Sequence, residues 1–136
     1  MSTQGLDGFI LELKNFGEVI MPKEHAGLCK RIAFEVVRGI DKKMPVKTGL
    51  ARGNNQVSNG EPITTVIDRL DKTGTETVAK AYEEIQKAEP MKKVIWESNN
   101  VPYIEELENG SSQQAPQGMV ELTLLEIKAK ADAGVI

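Results

Sequence analysis

Cysteine and histidine are nearly missing from this sequence: Cys29 and His25 stand alone in 136 residues. A single cysteine excludes an intramolecular disulfide and gives no support to a thiolate metal cage, so the chain reads as made in a reducing cytoplasm. Aromatic side chains are scarce too, with three phenylalanines, two tyrosines and one tryptophan. Few rings are therefore on offer for stacking unpaired bases. No apolar run approaches the ~20 residues of a membrane-crossing helix, and the start has no basic segment followed by a hydrophobic one. The expectation is a soluble protein without a secretion signal or a membrane partner. Positive charge is not in excess either: the formal net charge is -3 and the pI about 5.3. The overall basic balance that drives duplex DNA binding is absent.

What the sequence does contain is amphipathic periodicity, on a length that fits one domain over residues 1–136. Leu6, Phe9, Ile10, Leu13 and Phe16 recur at helical spacing, and Gly17 is placed to end a short helix there. A longer helix is predicted from about Pro22 to Lys43. Leu28, Ile32, Val36 and Ile40 form one i, i+4 row, and Cys29, Ala33 and Val37 the row beside it. Lys23, Lys30, Arg31, Glu35, Arg38 and Lys42 make its solvated side. Phe34 falls beyond the edge of the apolar stripe, near Gly27, Arg38 and Asp41, where a lone monomer would leave it partly wet.

Pro45 and Gly49 end helical structure, and Lys47 to Gly60 reads as a loop leading into a weak strand near Val57. Ile63 to Ile67, β-branched throughout, predicts a second strand with Pro62 at its start or edge. Thr75 to Ala88 returns to helical period through Val78, Tyr82 and Ile85, and Pro90 closes it. Val94, Ile95 and Trp96 predict a strand over Lys92 to Glu97, buried on much of both faces. Asn99 and Asn100 form a turn, Pro102 opens a short helix through Leu107, and Asn109 with Gly110 stops it. After a polar segment from Ser111, the last helix is expected from about Pro116 to Ala131. Its apolar residues Met119, Val120, Leu122, Leu124, Leu125 and Ile127 form a wide stripe, either well buried or shared with a neighbour. The elements sum to an α+β fold: a small, mostly antiparallel or mixed sheet packed against a long N-terminal amphipathic helix and a C-terminal helix.

Catalytic chemistry is thin. His25 and Cys29 lie i, i+4 on the long helix, a spacing that can share a metal or pair a thiolate with an imidazole. Packing for Cys29 and helix-end solvation for His25 is the stronger reading. Glu105, Glu106 and Glu108 crowd a short helix and read as a hydrated edge rather than an acid and base pair. Gly49 and Gly53 in the run Lys47 to Gly53 evoke a phosphate loop, but the Lys-Ser/Thr ending is missing. Lys42, Lys43, Lys47 and Arg52 concentrate positive charge where the long helix ends, favourable against the helix dipole. They form either a solvated helix end or a surface facing passing DNA or an acidic partner. No catalytic residue, metal or cofactor is called for.

Two stretches carry a resemblance. One is Pro45-Val46-Lys47-Thr48-Gly49-Leu50-Ala51-Arg52, following the long helix. The other begins at Asn100-Val101-Pro102-Tyr103 and continues from Leu107-Glu108-Asn109-Gly110 through Ala115-Pro116-Gln117-Gly118-Met119-Val120. With the opening Gly5-Leu6-Asp7, these resemble the tail-completion, or head-to-tail joining, family of long-tailed bacteriophages, sometimes called the gene-ten-like tail component or minor tail protein. The family-motif positions are Thr48, Gly49, Arg52, Asn100, Tyr103, Glu108, Gly110, Ala115, Pro116 and Gly118. The resemblance implies a non-enzymatic virion protein of the phage neck, assembled in the bacterial host cytoplasm. Its partners would be copies of itself in a ring, usually of six, together with the tail tube or terminator protein and the head connector. DNA would pass through the channel without sequence-specific contact.

The motif residues have physical readings of their own. Gly49 and Gly110 sit where the backbone turns sharply after a helix. Tyr103 suits a position closing the core against the segment before the last helix. The expected subunit contact uses Phe34, the loop from Ser111 to Gln117 with Ser112, Gln113 and Gln114, and Met119 and Leu124 of the last helix. Two other classes stay open: a small nucleic-acid-binding module on the basic residues, or another phage assembly factor; and a small hydrolase on His25 or the glutamates.

Overall fold

The computed structural model describes residues 21–136. The helix expected over Leu6 to Phe16, and the Gly5-Leu6-Asp7 opening, lie outside the described residues. The long helix α1 spans Met21–Lys43. It is followed by a single turn α2 (Leu50–Gly53), strand β1 (Gln56–Asn59), helix α3 (Thr75–Lys87), strand β2 (Ile95–Ser98), the short α4 (Ile104–Glu108) and the last helix α5 (Val120–Asp132). The class is α+β, with five helices and one two-stranded antiparallel sheet among the described residues.

The two apolar rows of α1 feed two cores. Val36 and Ile40, with Met44 just past the helix end, pack against Ala51, Val101, Ala115 and Met119. Ala33 and Val37 pack against Val57 of β1 and Ala81 and Ile85 of α3. Side chains at i and i+4 share one face, so adjacent rows aim at different neighbours. Phe34 belongs to the second core. Its ring meets Tyr82 of α3 edge to face at a centroid distance of 5.3 Å, with the Arg38 guanidinium 5.7 Å over it. The ring expected to be partly wet is half-buried, and what covers it includes Tyr82 and Arg38 of the chain itself.

The face of α1 read as merely solvated also makes contacts. Lys30 Nζ donates to the Gln86 carbonyl at the end of α3 (3.1 Å), and Glu35 pairs with Lys130 of α5 at 2.9 Å. Lys43 Nζ reaches Glu126 at 2.7 Å and Thr123 Oγ1 at 3.0 Å. Between these ion pairs α1 and α5 come so close at Gly39 that a Cβ there would overlap Thr123.

In α5 the inward row is Met119, Thr123 and Ile127, spaced four apart and all buried. Val120, Leu124 and Leu125 face outward, 41, 50 and 58 % exposed. The wide stripe thus divides into a core row completed by a threonine and an apolar surplus on the surface. Met119, expected at a subunit contact, is a core residue.

Strand pairing sets Gln56 opposite Ser98, Val57 opposite Glu97, Ser58 opposite Trp96 and Asn59 opposite Ile95. The segment Ile63 to Ile67 does not join the sheet. Its backbone is held by side-chain amides instead: Asn100 donates to the Ile63 carbonyl and Gln56 to that of Thr65, and Asn54 both donates to the Ile67 carbonyl and accepts its N–H. Amides so satisfied need no partner strand. Among the described residues the sheet has two strands, and none of their elements covers its outer face. Val94 and Trp96, expected to be buried, are exposed.

Candidate functional site

The two stretches that carry the resemblance, far apart in sequence, meet along one surface cleft of about 630 Å³. Pro45 to Ala51 forms one wall, and Tyr103, Leu107, Ser112 and Gln114 the other. The walls are stitched at one point by a reciprocal pair: Val46 N donates to Gln114 Oε1 at 2.9 Å, and Gln114 Nε2 donates to the Val46 carbonyl at 3.1 Å. The side-chain amide thereby mimics a strand partner. Tyr103, expected to close the core, stands at the cleft rim, 41 % exposed. The core position beneath is filled by Val101 and Ala115.

Several motif residues in the second stretch have structural tasks. The Glu108 carboxylate accepts the N–H groups of Met119 and Val120 at 2.9 Å each and of Glu121 at 3.2 Å. These are the orphan donors at the start of α5, so Glu108 caps that helix from eleven or more residues upstream. Burial opposes the effect, but the three N–H groups hold its carboxyl below the usual glutamate range. A hydrated edge was the expectation for this glutamate; Glu105 and Glu106 are the exposed ones. The approach is close enough that a Cβ at Gly118 would overlap the Glu108 carbonyl. Gly110 has φ of 88° and a Cβ there would strike the Pro116 carbonyl, so only glycine fits both constraints. The cap also fixes where α5 begins, at Val120 rather than Pro116.

The first stretch is equally structural. Gly49 has φ of 88°, and its carbonyl accepts the Asp71 N–H at 3.0 Å. Arg52 donates through Nη1 to the Lys72 carbonyl (2.5 Å) and through Nη2 to that of Met44 (3.2 Å), and its Nε lies 3.9 Å from Asp41 Oδ1. That last separation is a charge contact and not a hydrogen bond; both atoms are buried without a hydrogen-bond partner. Thr48 Oγ1 accepts from Leu50 N at 3.3 Å. Of the four cations expected to form a basic surface, Arg52 and Lys43 are engaged inside the chain, and Lys42 and Lys47 alone stand exposed.

Around Asp41 lies a buried acidic group. Burial pushes Asp41 up to about 6, with Arg52 opposing and Asp71 adding. Asp71 itself is held below its usual range, burial notwithstanding, because Thr77 N–H, Thr77 Oγ1 and Gly74 N–H donate to it. Glu97, on the inner face opposite Val57, is pushed up to about 7 by burial and by Asp41. Nothing in the sequence singled out Glu97. The available signal was a lone carboxylate at the end of the apolar run Val94-Ile95-Trp96.

His25 is exposed and Cys29 half-buried, and no group of three or more His, Cys, Asp or Glu residues able to hold a metal occurs among the described residues. Neither protein-family models, nor curated proteins, nor solved structures match this chain.

Proposed function

We propose that the chain is a non-enzymatic structural subunit that associates with copies of itself, and that it serves as a tail-completion protein at the head-to-tail junction of a phage. The observation that supports this reading most is the joining of the two motif stretches. Thr48, Gly49, Arg52, Glu108, Gly110, Ala115 and Gly118 are spent on helix capping, tight turns and core packing around one cleft. A framework so built presents Tyr103, Ser111, Gln113 and Gln117 outward, as an uncharged, hydrogen-bonding rim suited to docking.

The apolar surplus of α5 supplies the second half of the argument. Val120 and Leu124 lie four residues apart on one side of the helix, both exposed, and Val120 follows the Ser111 to Gln117 loop closely in sequence. Apolar patches rimmed by polar residues mark association surfaces. In this reading the subunit contact moves from Phe34 and Met119 to Val120, Leu124 and the loop from Ser111 to Gln117. The family resemblance supplies the further expectation of a ring of six, facing the tail tube on one side and the head connector on the other. Replacing Leu124 by Asp leaves the monomer folded and abolishes rings in sedimentation velocity; rings that persist in that variant refute the assignment.

A further inference from the structure

An unexplained polar feature lies on the other side of α4. A cleft of about 340 Å³ opens there between α1, the end of β2 and the start of α5. Its apolar walls come from Val36, Ile40, Ile104 and Met119. Glu97 and Asn55 also line it. Both Glu97 carboxylate oxygens and Asn55 Nδ2 are buried and make no hydrogen bond among the described residues. The other end of that amide is spoken for, since Asn55 Oδ1 accepts from Asn99 at 2.8 Å.

Buried polar atoms without partners are costly, and a carboxylate with two of them is costlier still. Two free oxygens on one carboxylate match the fork of a guanidinium, which gives two parallel N–H donors and is less strongly hydrated than an ammonium. The donor left on Asn55 matches a peptide carbonyl. We propose that this cleft is a receptor for an arginine residue of a partner polypeptide: its stem lies along the apolar walls, its guanidinium binds Glu97 bidentately, and a neighbouring carbonyl accepts from Asn55. Charge supports this direction, because Glu105 and Glu108 also line the cleft and no lysine or arginine does. The chain's own arginines are placed elsewhere: Arg38 lies over Phe34, Arg52 and Arg69 hold backbone carbonyls, and Arg31 is exposed on α1. The residues before Met21 contain none. The occupant is therefore none of the arginines in these 136 residues. The cleft is separate from the surface assigned to self-association except at Val120, so small probes test it without any assembly.

The charged groups around Glu97 are Asp41 of α1, with Arg52 and Asp71 beyond it, and Glu105 and Glu108 of α4. None of these is a free cation. Binding of guanidinium therefore requires the ionised form of Glu97 and weakens as pH falls from 8 to 6. The test is an NMR titration of the intact chain, carboxyl-labelled at glutamate, with N-acetyl-arginine methylamide, n-butylguanidinium, n-butylammonium and n-pentanol. Saturable binding of both guanidinium probes is expected, with the Glu97 titration midpoint moved down, and at least about a tenfold loss in Glu97→Gln, as expected for a charged hydrogen-bonded pair. Asn55→Ala should weaken the arginine amide and leave butylguanidinium unchanged. An unmoved Glu97 titration at saturating probe, equal binding by Glu97→Gln, or pentanol or butylammonium binding as tightly as butylguanidinium would each overturn the proposal.

Discussion

Glu97 and Glu108 are both partly buried glutamates, yet their surroundings drive them in opposite directions. Glu97 has no donor, and burial raises it to about 7 from an ordinary 4.5. A carboxyl raised in the folded state binds its proton more tightly there than in the unfolded chain. Its contribution is therefore fully present at pH 4, shrinks as pH rises, and is gone above about 7. Replacing Glu97 by Gln should stabilise the protein at pH 8, by at most ~3 kcal/mol on the scale of 1.36 kcal/mol per pKa unit, and change little at pH 4. Denaturant melts at the two pH values check this; an equal effect at both would show that Glu97 does not titrate. Glu108 behaves conversely. Its lowered value means stability present above the ordinary range and lost as pH falls through the folded value. Glu108→Ala removes a cap made of three N–H acceptances and should cost about 1–3 kcal/mol, with the first turn of α5 losing hydrogen-exchange protection. The glutamate's crowding with Glu105 and Glu106 was visible in the sequence. Its service to a helix that starts twelve residues later was not, because capping is a contact in space.

Helices were more legible than strands, for a physical reason. The rows of α1 and the period of α3 repeat over many residues and leave one consistent face to bury. Ile63 to Ile67 has the composition of a strand, but composition says nothing of where its backbone hydrogen bonds go. Asn54, Gln56 and Asn100 take them. Asn54 is fully buried and bonds both backbone groups of Ile67. Asn54→Ala should thus cost about 1–3 kcal/mol and speed amide exchange at Ile67, while α1 amides keep their relative protection. Unchanged exchange at Ile67 would show that the segment is held by something else. In α5 the mismatch came from Thr123, a polar residue that completes the core row and accepts from Lys43. Two leucines and a valine then remain outside. Phe34 shows the same lesson in reverse: its position off the stripe was legible, and its partner Tyr82 was not. Phe34→Asp should accordingly destabilise the monomer itself, by about 2–4 kcal/mol from lost aromatic burial and a carboxylate in its place, seen as a lower melting temperature.

At the scale of the whole molecule, α1 acts as a spine with α3 and the sheet on one side and α5 on the other, and the motif stretches close over its C-terminal end. The chain spends Gly110, Gly118, the Asn54 amide and the Glu108 carboxylate on holding that arrangement. Apolar residues stay exposed at Val120, Leu124 and Leu125 of α5 and at Val94 and Trp96 by the sheet. The central claim is that this surface joins copies of the chain. Sedimentation velocity of the purified chain and of its Leu124→Asp variant, at matched concentrations and with melting temperatures compared, tests it most directly. A closed oligomer, of six subunits, should form with the native chain and collapse to a folded monomer in the variant. A native chain that stays monomeric up to hundreds of micromolar, or a variant that assembles as before, contradicts the account.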